Sequence, residues 1–341
     1  MDASPVFTKW TQLRKIGGGS FGYVYKAKRE DAIDDTWFAI KVAKKAGEED
    51  KALRLEIDIH SRLTHPDIVR YVNAFDISVC GGSSIVQVPV GKGKCIAMVL
   101  ELLPGKNVEQ LVKVNGQLSE VLIRRLAKQM VSALSYLKEQ GIVHNDIKPA
   151  NILTDSDSNF KLADFGLSNK IENSSNIKKG TPLYMAPEIL LQAAGPYFFS
   201  YATDMWALGV VLFFVIYSDL PWVETNNLGR FIAEVKKGKL DRWGRDTEPE
   251  DLAEFLDGCL VWNPHDRFTP ADCLASPFLT NPEISSPAGL TEEARFSSDM
   301  AEFGSGSREE FYWWLARKYP KNGGIPLIRF NELYDGIIGG K

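Results

Sequence analysis

The hydrophobic period of the chain changes once, and that change limits the fold more than any other feature. From Thr11 to Glu101 the apolar residues follow strand rules. Tyr23, Val24 and Tyr25 come after a glycine-rich stretch, and Trp37-Phe38-Ala39-Ile40-Lys41-Val42 after a turn rich in aspartate. From Asn107 onward they recur every three to four residues. Leu122, Leu126, Met130, Leu134 and Leu137 mark one face of a helix over 119–140, with Gly141 suited to its C-terminal cap. Further helical patterns occupy 204–217, 228–237, 249–260 and 270–275. Strands gathered first and helices later predict an α+β molecule of two lobes with a cleft between them. Leu102-Leu103-Pro104-Gly105 lies at the changeover and reads as the hinge.

The strand region has one interruption, at 48–63. Leu53, Glu56, Ile57 and His60 share a helical face there, although Leu55, Ile57 and Ile59 also alternate as a strand would. Acidic Glu48, Glu49 and Asp50 complement the positive end of a helix dipole, so helix is the better reading. Cys80 to Lys94, rich in Gly, Ser and Val, reads as a long hairpin connection. Beyond Phe278 the composition shifts, and 281–307 has the Ser, Pro, Gly and acidic content of a linker. Ser307-Arg308-Glu309-Glu310 has the form of a capping box opening a short helix through Phe311, Tyr312, Trp313, Trp314 and Leu315.

With 341 residues, 44% of them hydrophobic, the chain can bury a substantial core. A formal net charge of -4 supplies no basic face, so nucleic acid is not expected as the main partner. Cys80, Cys95, Cys259 and Cys273 have neither metal nor redox spacing and read as reduced thiols of an intracellular protein, cytoplasmic or nuclear. The residues 1–10 carry no secretory pattern, and Asp2 and the terminal Gly-Gly-Lys give no lipidation signal. The longest apolar run, Met205 to Tyr217, is too short to span a bilayer and reads as a buried helix, so no membrane insertion is expected.

Four fragments carry chemistry. The glycines of Gly17-Gly18-Gly19-Ser20-Phe21-Gly22 let backbone N–H groups approach phosphate oxygens without a Cβ in the way. Such a turn is also found in dinucleotide sites, but here it leads into a strand rather than a helix, and no Gly-Lys-Ser/Thr ending follows. Lys41, among apolar strand neighbours, is either a surface lysine or a cation facing phosphates. In His144-Asn145-Asp146-Ile147-Lys148-Pro149-Ala150-Asn151, apolar Ile142, Val143, Ile147, Ile152 and Leu153 bracket the polar residues, as in a loop pinned to a core with its polar tips exposed. Asp164, in Asp164-Phe165-Gly166, is a hard oxygen ligand suited to Mg²⁺.

In that order, and followed by Ala186-Pro187-Glu188, these fragments resemble a protein kinase of the eukaryotic type, in its serine/threonine branch. The resemblance covers roughly 10–279. It implies a small antiparallel β-rich N-lobe with one regulatory helix, a larger helical C-lobe and an ATP cleft between them. It also implies transfer of the γ-phosphate of Mg·ATP to serine or threonine of protein substrates. The domain is expected over 11–279, with the N-lobe at 11–101, the hinge at 102–105 and the C-lobe at 106–279. An extension at 1–10, a linker at 280–307 and a tail at 308–341 flank it. Nucleotide contacts fall on Ile16, Gly17, Gly18, Gly19, Ser20, Gly22, Val24, Ala39, Lys41, Leu100, Glu101, Leu103, Leu153 and Asp164, and metal ligands on Asn151 and Asp164. Asp146 is the implied base and Lys148 a neutralising cation. Thr181 ties the substrate loop to both. Lys41 pairs with a helix carboxylate, for which Glu56 is the choice and Glu49 the fallback. Asp204 braces the catalytic loop, and Glu188 with Arg267 forms a buried ion pair.

Some positions depart from the family pattern. Asn145 replaces the usual arginine that receives an activation-segment phosphate, so little dependence on such a phosphate is expected, whether or not Ser168, Ser174 or Ser175 is modified. His60 stands where an aliphatic residue usually stacks on Phe165 and reads as an interior histidine. Asn107 and Ala150 lack the carboxylates of arginine-directed kinases, and Met185 the arginine of proline-directed ones. Rival readings are a pseudokinase scaffold, a small-molecule kinase, and a binding module built on the aromatic tail. That tail could pack on the domain, dock a partner or cover the cleft. Lys41, Asp146, Asn151 and Asp164 oppose the first rival. The segment from Gly180-Thr181 to Pro187-Glu188 opposes the second.

Overall fold

The computed structural model describes residues 9–18, 22–30, 36–43, 47–80, 84–88, 95–156, 158–171, 180–238, 240, 249–281, 300, 307–308, 311 and 334. Six antiparallel strands form the first lobe: β1 (Lys9–Gly18), β2 (Gly22–Arg29), β3 (Trp37–Ala43), β4 (Tyr71–Cys80), β5 (Ser84–Val88) and β6 (Cys95–Glu101). They close into a barrel in the order β1-β2-β3-β6-β4-β5. β5 overturns the reading of 80–94 as a plain connection. It pairs with β4 on one side and with β1 on the other through Lys9↔Val86 and Trp10↔Ile85, so the sheet keeps no open edge there.

Alternation along these strands sorts two faces. Trp10, Ala27, Ile40, Val42, Phe75, Ala97 and Val99 are buried together inside the barrel. Trp10 lies parallel to Phe75, with centroids 6.0 Å apart, and meets Phe38 edge-on at 5.4 Å. The opposite face carries Lys41, directly across from Val24 on β2 and Met98 on β6. Helix α1 (Glu48–His60) rests on that face through Leu53, against Ala43, Ile96 and Met98.

The second lobe is built on α3 (Glu120–Glu139) and α5 (Tyr201–Tyr217). Leu126, Met130, Leu134 and Leu137 of α3 share one core with Met205, Leu208, Leu212 and Val215 of α5. α5 is buried on all sides, which explains why it lacks a polar face. α2 (Val108–Asn115), α4 (Pro187–Leu190), α6 (Leu228–Val235), α7 (Glu250–Cys259), α8 (Pro270–Ala275) and α9 (Pro277–Thr280) pack around them. Two short two-stranded sheets complete the lobe: β7 (Ile142–Val143) with β10 (Asn169–Lys170), and β8 (Ile152–Thr154) with β9 (Phe160–Leu162). The lobes are stitched where Val69 donates to Leu162 O at 2.9 Å and Leu162 to Asp67 O at 2.9 Å.

Among the described residues, no helix is long and apolar enough to cross a membrane. Cys95, Cys259 and Cys273 are free thiols, and the fold brings the last two to 3.8 Å, a proximity their spacing did not announce. Of the aromatic tail, Phe311 is buried, receives helical support from Ser307 O at 3.0 Å and lies 6.4 Å from Tyr334. Positions 309, 310 and 312–315 of that predicted helix, like Gly19, Ser20, Ser174 and Ser175, lie outside the described residues.

Candidate active site

Three charged groups meet where β3, α1 and the loop after β9 converge. Lys41 Nζ donates to Glu56 Oε1 at 2.8 Å, to Glu56 Oε2 at 2.7 Å and to Asp164 Oδ1 at 2.7 Å. Glu56, not Glu49, is therefore the helix carboxylate on the lysine. Burial works against the charged form of all three groups. At Lys41 the two carboxylates outweigh it and hold the ammonium above the ordinary lysine range. Lys41 likewise holds Asp164 below the usual carboxylate range, whereas at Glu56 burial prevails and the carboxyl lies above it. A Cβ on Gly166 would stand 3.2 Å from Asp164 Oδ1 and 3.3 Å from Glu56 Oε2, so only glycine leaves this junction uncrowded.

The second cluster surrounds Asp146. Thr181 Oγ1 donates to Asp146 Oδ1 at 2.8 Å, and Lys148 Nζ to Oδ2 at 2.7 Å and to Thr181 Oγ1 at 3.1 Å. Asn151 Nδ2 donates to the Asp146 carbonyl at 2.9 Å and to Oδ2 at 3.0 Å. The loop that holds them is fixed from below by Asp204 at the start of α5. Its carboxylate accepts the backbone N–H of His144 at 2.7 Å and of Asn145 at 2.9 Å. Burial pushes the Asp204 carboxyl up to about 7, and the two donors oppose that rise. Gly180, at φ 107, passes so close to the loop that a Cβ would lie 2.7 Å from Asn145 O. Glu188 receives a two-pronged bond from buried Arg267, at 2.9 and 3.1 Å.

Phe165 joins the clusters. It is fully buried between His60, whose ring centroid is 4.6 Å away, and His144 at 4.9 Å. Burial lowers both histidines, His60 to about 4. Neutral His60 donates Nε2–H to Val69 O at 2.6 Å, which accounts for a polar ring at a position expected to be aliphatic. At the hinge, Glu101 Oε1 accepts from Arg70 N at 2.8 Å and from Lys161 Nζ at 2.7 Å, tying the end of β6 to β9.

The family model for the protein kinase domain matches residues 10–279. The chain belongs to the protein kinase family. Similar proteins include serine/threonine-protein kinase fused of Drosophila melanogaster, 33% identical over 77% of this chain and 30% of the relative. Mitogen-activated protein kinase kinase kinase 3 of Arabidopsis thaliana is 30% identical over 81% of this chain and 43% of its own length. Serine/threonine-protein kinase 36 of Mus musculus is 31% identical over 86% of this chain and 21% of its own length. The chain thus spans less than half the length of these relatives.

Set against the kinase pattern, Val24, Ala39 and Lys41 share one face of the barrel's outer surface with Leu100, while Leu153 lies in β8. Ile16 and Gly17 lie in β1, Gly22 opens β2, and Leu103 follows the hinge strand. The donors suit a small hard cation: Asn151 brings an amide oxygen and Asp164 a carboxylate, and Mg²⁺ commonly takes one or two such groups and fills its shell with phosphate oxygens and water. Sequence reasoning missed the contacts of Asp50, Arg54 and Asp76, the Glu101–Lys161 pair, and the side chain of Asn145, whose Nδ2 donates to Leu167 O at 3.0 Å. Apart from the i,i+4 pair Asp50–Arg54, these join ordinary polar residues far apart in sequence, and nothing local to them signals the pairing.

Proposed function

We propose that the chain is an ATP-dependent protein serine/threonine kinase that acts inside the cell without needing phosphate on its activation segment. The placement of Asp146 carries this reading. One carboxylate oxygen takes Thr181 and the other takes Lys148 and Asn151, an arrangement that suits a base for an incoming hydroxyl. In the proposed reaction a serine or threonine oxygen attacks the γ-phosphorus while Asp146 accepts its proton. The new O–P bond forms as the bond to the bridging oxygen of ADP breaks. Lys148 offsets charge on the transferring group, and Lys41, oriented by Glu56, holds the α- and β-phosphates. Asn151 and Asp164 would hold Mg²⁺, which draws charge from the phosphate oxygens when bound.

The regulatory half of the proposal rests on Asn145. Its backbone N–H is held by Asp204, and its side chain reaches Leu167 O at the foot of the activation segment. A neutral, short-range tie replaces the cationic receiver of a phosphate. Neither a basic residue upstream nor proline downstream of the acceptor is a strong requirement in this reading. Asn107 is engaged in the capping box of α2, Ala150 is apolar and Met185 is buried. An assay with Mg·ATP and a generic protein substrate tests the reading. Asp146→Asn should lower turnover by about 10² to 10⁴-fold with the fold intact. Undiminished turnover in that variant would overturn it.

A further inference from the structure

The helix that presents Glu56 has one fully buried apolar residue, Leu53, with Ile57 and Ile59 partly buried beside it. Its buried residues are Asp50, Leu53, Glu56 and His60, so three of the four are ionisable, while Leu55 is exposed. Apolar packing alone therefore does not set its position on the barrel. A polar circuit does. The pairing of β3 with β6 ends at Val42↔Ala97, and the next N–H along β6, that of Ile96, is taken by Asp50 Oδ1 at 2.7 Å. Asp50 Oδ2 accepts Arg54 Nε at 2.8 Å, and Arg54 Nη2 reaches across to Asp76 Oδ1 on β4 at 2.8 Å. Asp76 is directly opposite Ile96 in the β4–β6 ladder, so the circuit α1–β6–β4 closes on itself.

Both carboxylates are shielded, Asp76 at 4% and Asp50 at 9% exposure, whereas the Arg54 side chain remains 43% exposed. The guanidinium fork spans the two acceptors at once, a geometry that an ammonium cannot supply. At the other end of α1, the His60 bond to Val69 O holds the last turn. The Asp50, Arg54 and Asp76 bonds involve none of residues 165–188, whereas His60 also packs on Phe165 and Glu56 accepts the Phe165 N–H. We infer that Asp50, Arg54 and Asp76 form a latch that keeps Glu56 against Lys41, which makes them positioning residues for phosphoryl transfer. The inference rests on the kinase reading above and adds to it an intrinsic means of holding the helix.

The test compares the full chain with Arg54→Met, Asp76→Asn and the double variant Arg54→Met/Asp76→Leu, which removes the buried Asp76 carboxylate together with its partner and leaves Asp50 on the Ile96 N–H. Steady-state rates with Mg·ATP and casein are read with thermal unfolding and with amide exchange of 48–60 against 120–139. Arg54→Met should lower kcat/KM for ATP by about tenfold or more at a temperature where the chain is folded, with KM for casein within about twofold. The double variant should show the same kinetic loss. Asp76→Asn, which keeps an acceptor, should stay within about threefold of the parent. Exchange should quicken in 48–60 and not in 120–139. Unchanged kcat/KM in both Arg54 variants, or equal quickening of both segments, would overturn the latch. If the parent chain transfers no phosphate, the kinase reading fails by itself. Exchange then decides the latch, and 48–60 no faster in Arg54→Met refutes it.

Discussion

The two lobes fix their halves of the site by different physical means. In the helical lobe, α5 is apolar on every side, and Asp204 at its start hands the rigidity of that core to the loop bearing Asp146. In the strand lobe the barrel interior is equally apolar, but the helix bearing Glu56 stands on Leu53, on partly buried Ile57 and Ile59, and on hydrogen-bonded ion pairs. Dispersed apolar packing is lost only with the fold, whereas a few polar contacts can be lost one at a time. The geometry around Asp146 should therefore fail only when the chain unfolds. That around Lys41 can fail in a chain that is still folded.

Leu212→Ala probes the first half of this contrast. Leu212 is fully buried in the core shared by α3 and α5, so the cavity should cost about 2–5 kcal/mol. Turnover per folded molecule should hold within about twofold. Urea unfolding together with active-fraction-corrected kcat checks both. A steep fall in kcat without lost stability would erase the difference between the lobes.

His60 probes the strand lobe by pH. Its imidazole titrates at about 4 in the folded chain against 6.5 in the unfolded one, so between these values the unfolded state binds more protons. Stability that His60 leaves intact above pH 6.5 is consequently lost as the pH falls toward 4, by up to about 3 kcal/mol. Asp204, raised to about 7, works in the opposite direction, so the informative quantity is the difference from His60→Leu. Unfolding curves across that range should show a smaller acid loss in His60→Leu. Parallel loss in both proteins would mean that the ring is not held neutral against Phe165.

Much of this architecture is legible in the sequence because chemistry and period act locally. Gly17 to Val24, Lys41, Asp146, Asn151 and Asp164 stand out since few other residue types could serve in a phosphate-transfer site, and the change of period near Leu102 separates the lobes. β5 was not legible: Ile85, Val86 and Val88 are strand formers, but the surrounding glycines and serines weighed toward a connection. The choice between Glu49 and Glu56 needed the rotation of α1 about its axis, which tertiary contacts fix. In the sequence Asp50 reads only as an acidic helix-start residue, and its i,i+4 spacing to Arg54 is one that solvated helix pairs share. Their third member, Asp76, lies 22 residues beyond Arg54 on a strand, and only the folded chain brings it within reach.

The smallest expected change belongs to the most direct test. If the helix latch and the Asn145 tie assemble the site unaided, phosphate on the activation segment is dispensable. Phosphatase-treated chain, and a Ser174→Ala/Ser175→Ala variant, should keep most of the activity of untreated protein toward casein with Mg·ATP, within about threefold. A fall of about a hundredfold or more on dephosphorylation would contradict the account and show that a phosphate, received by another cation, completes the site.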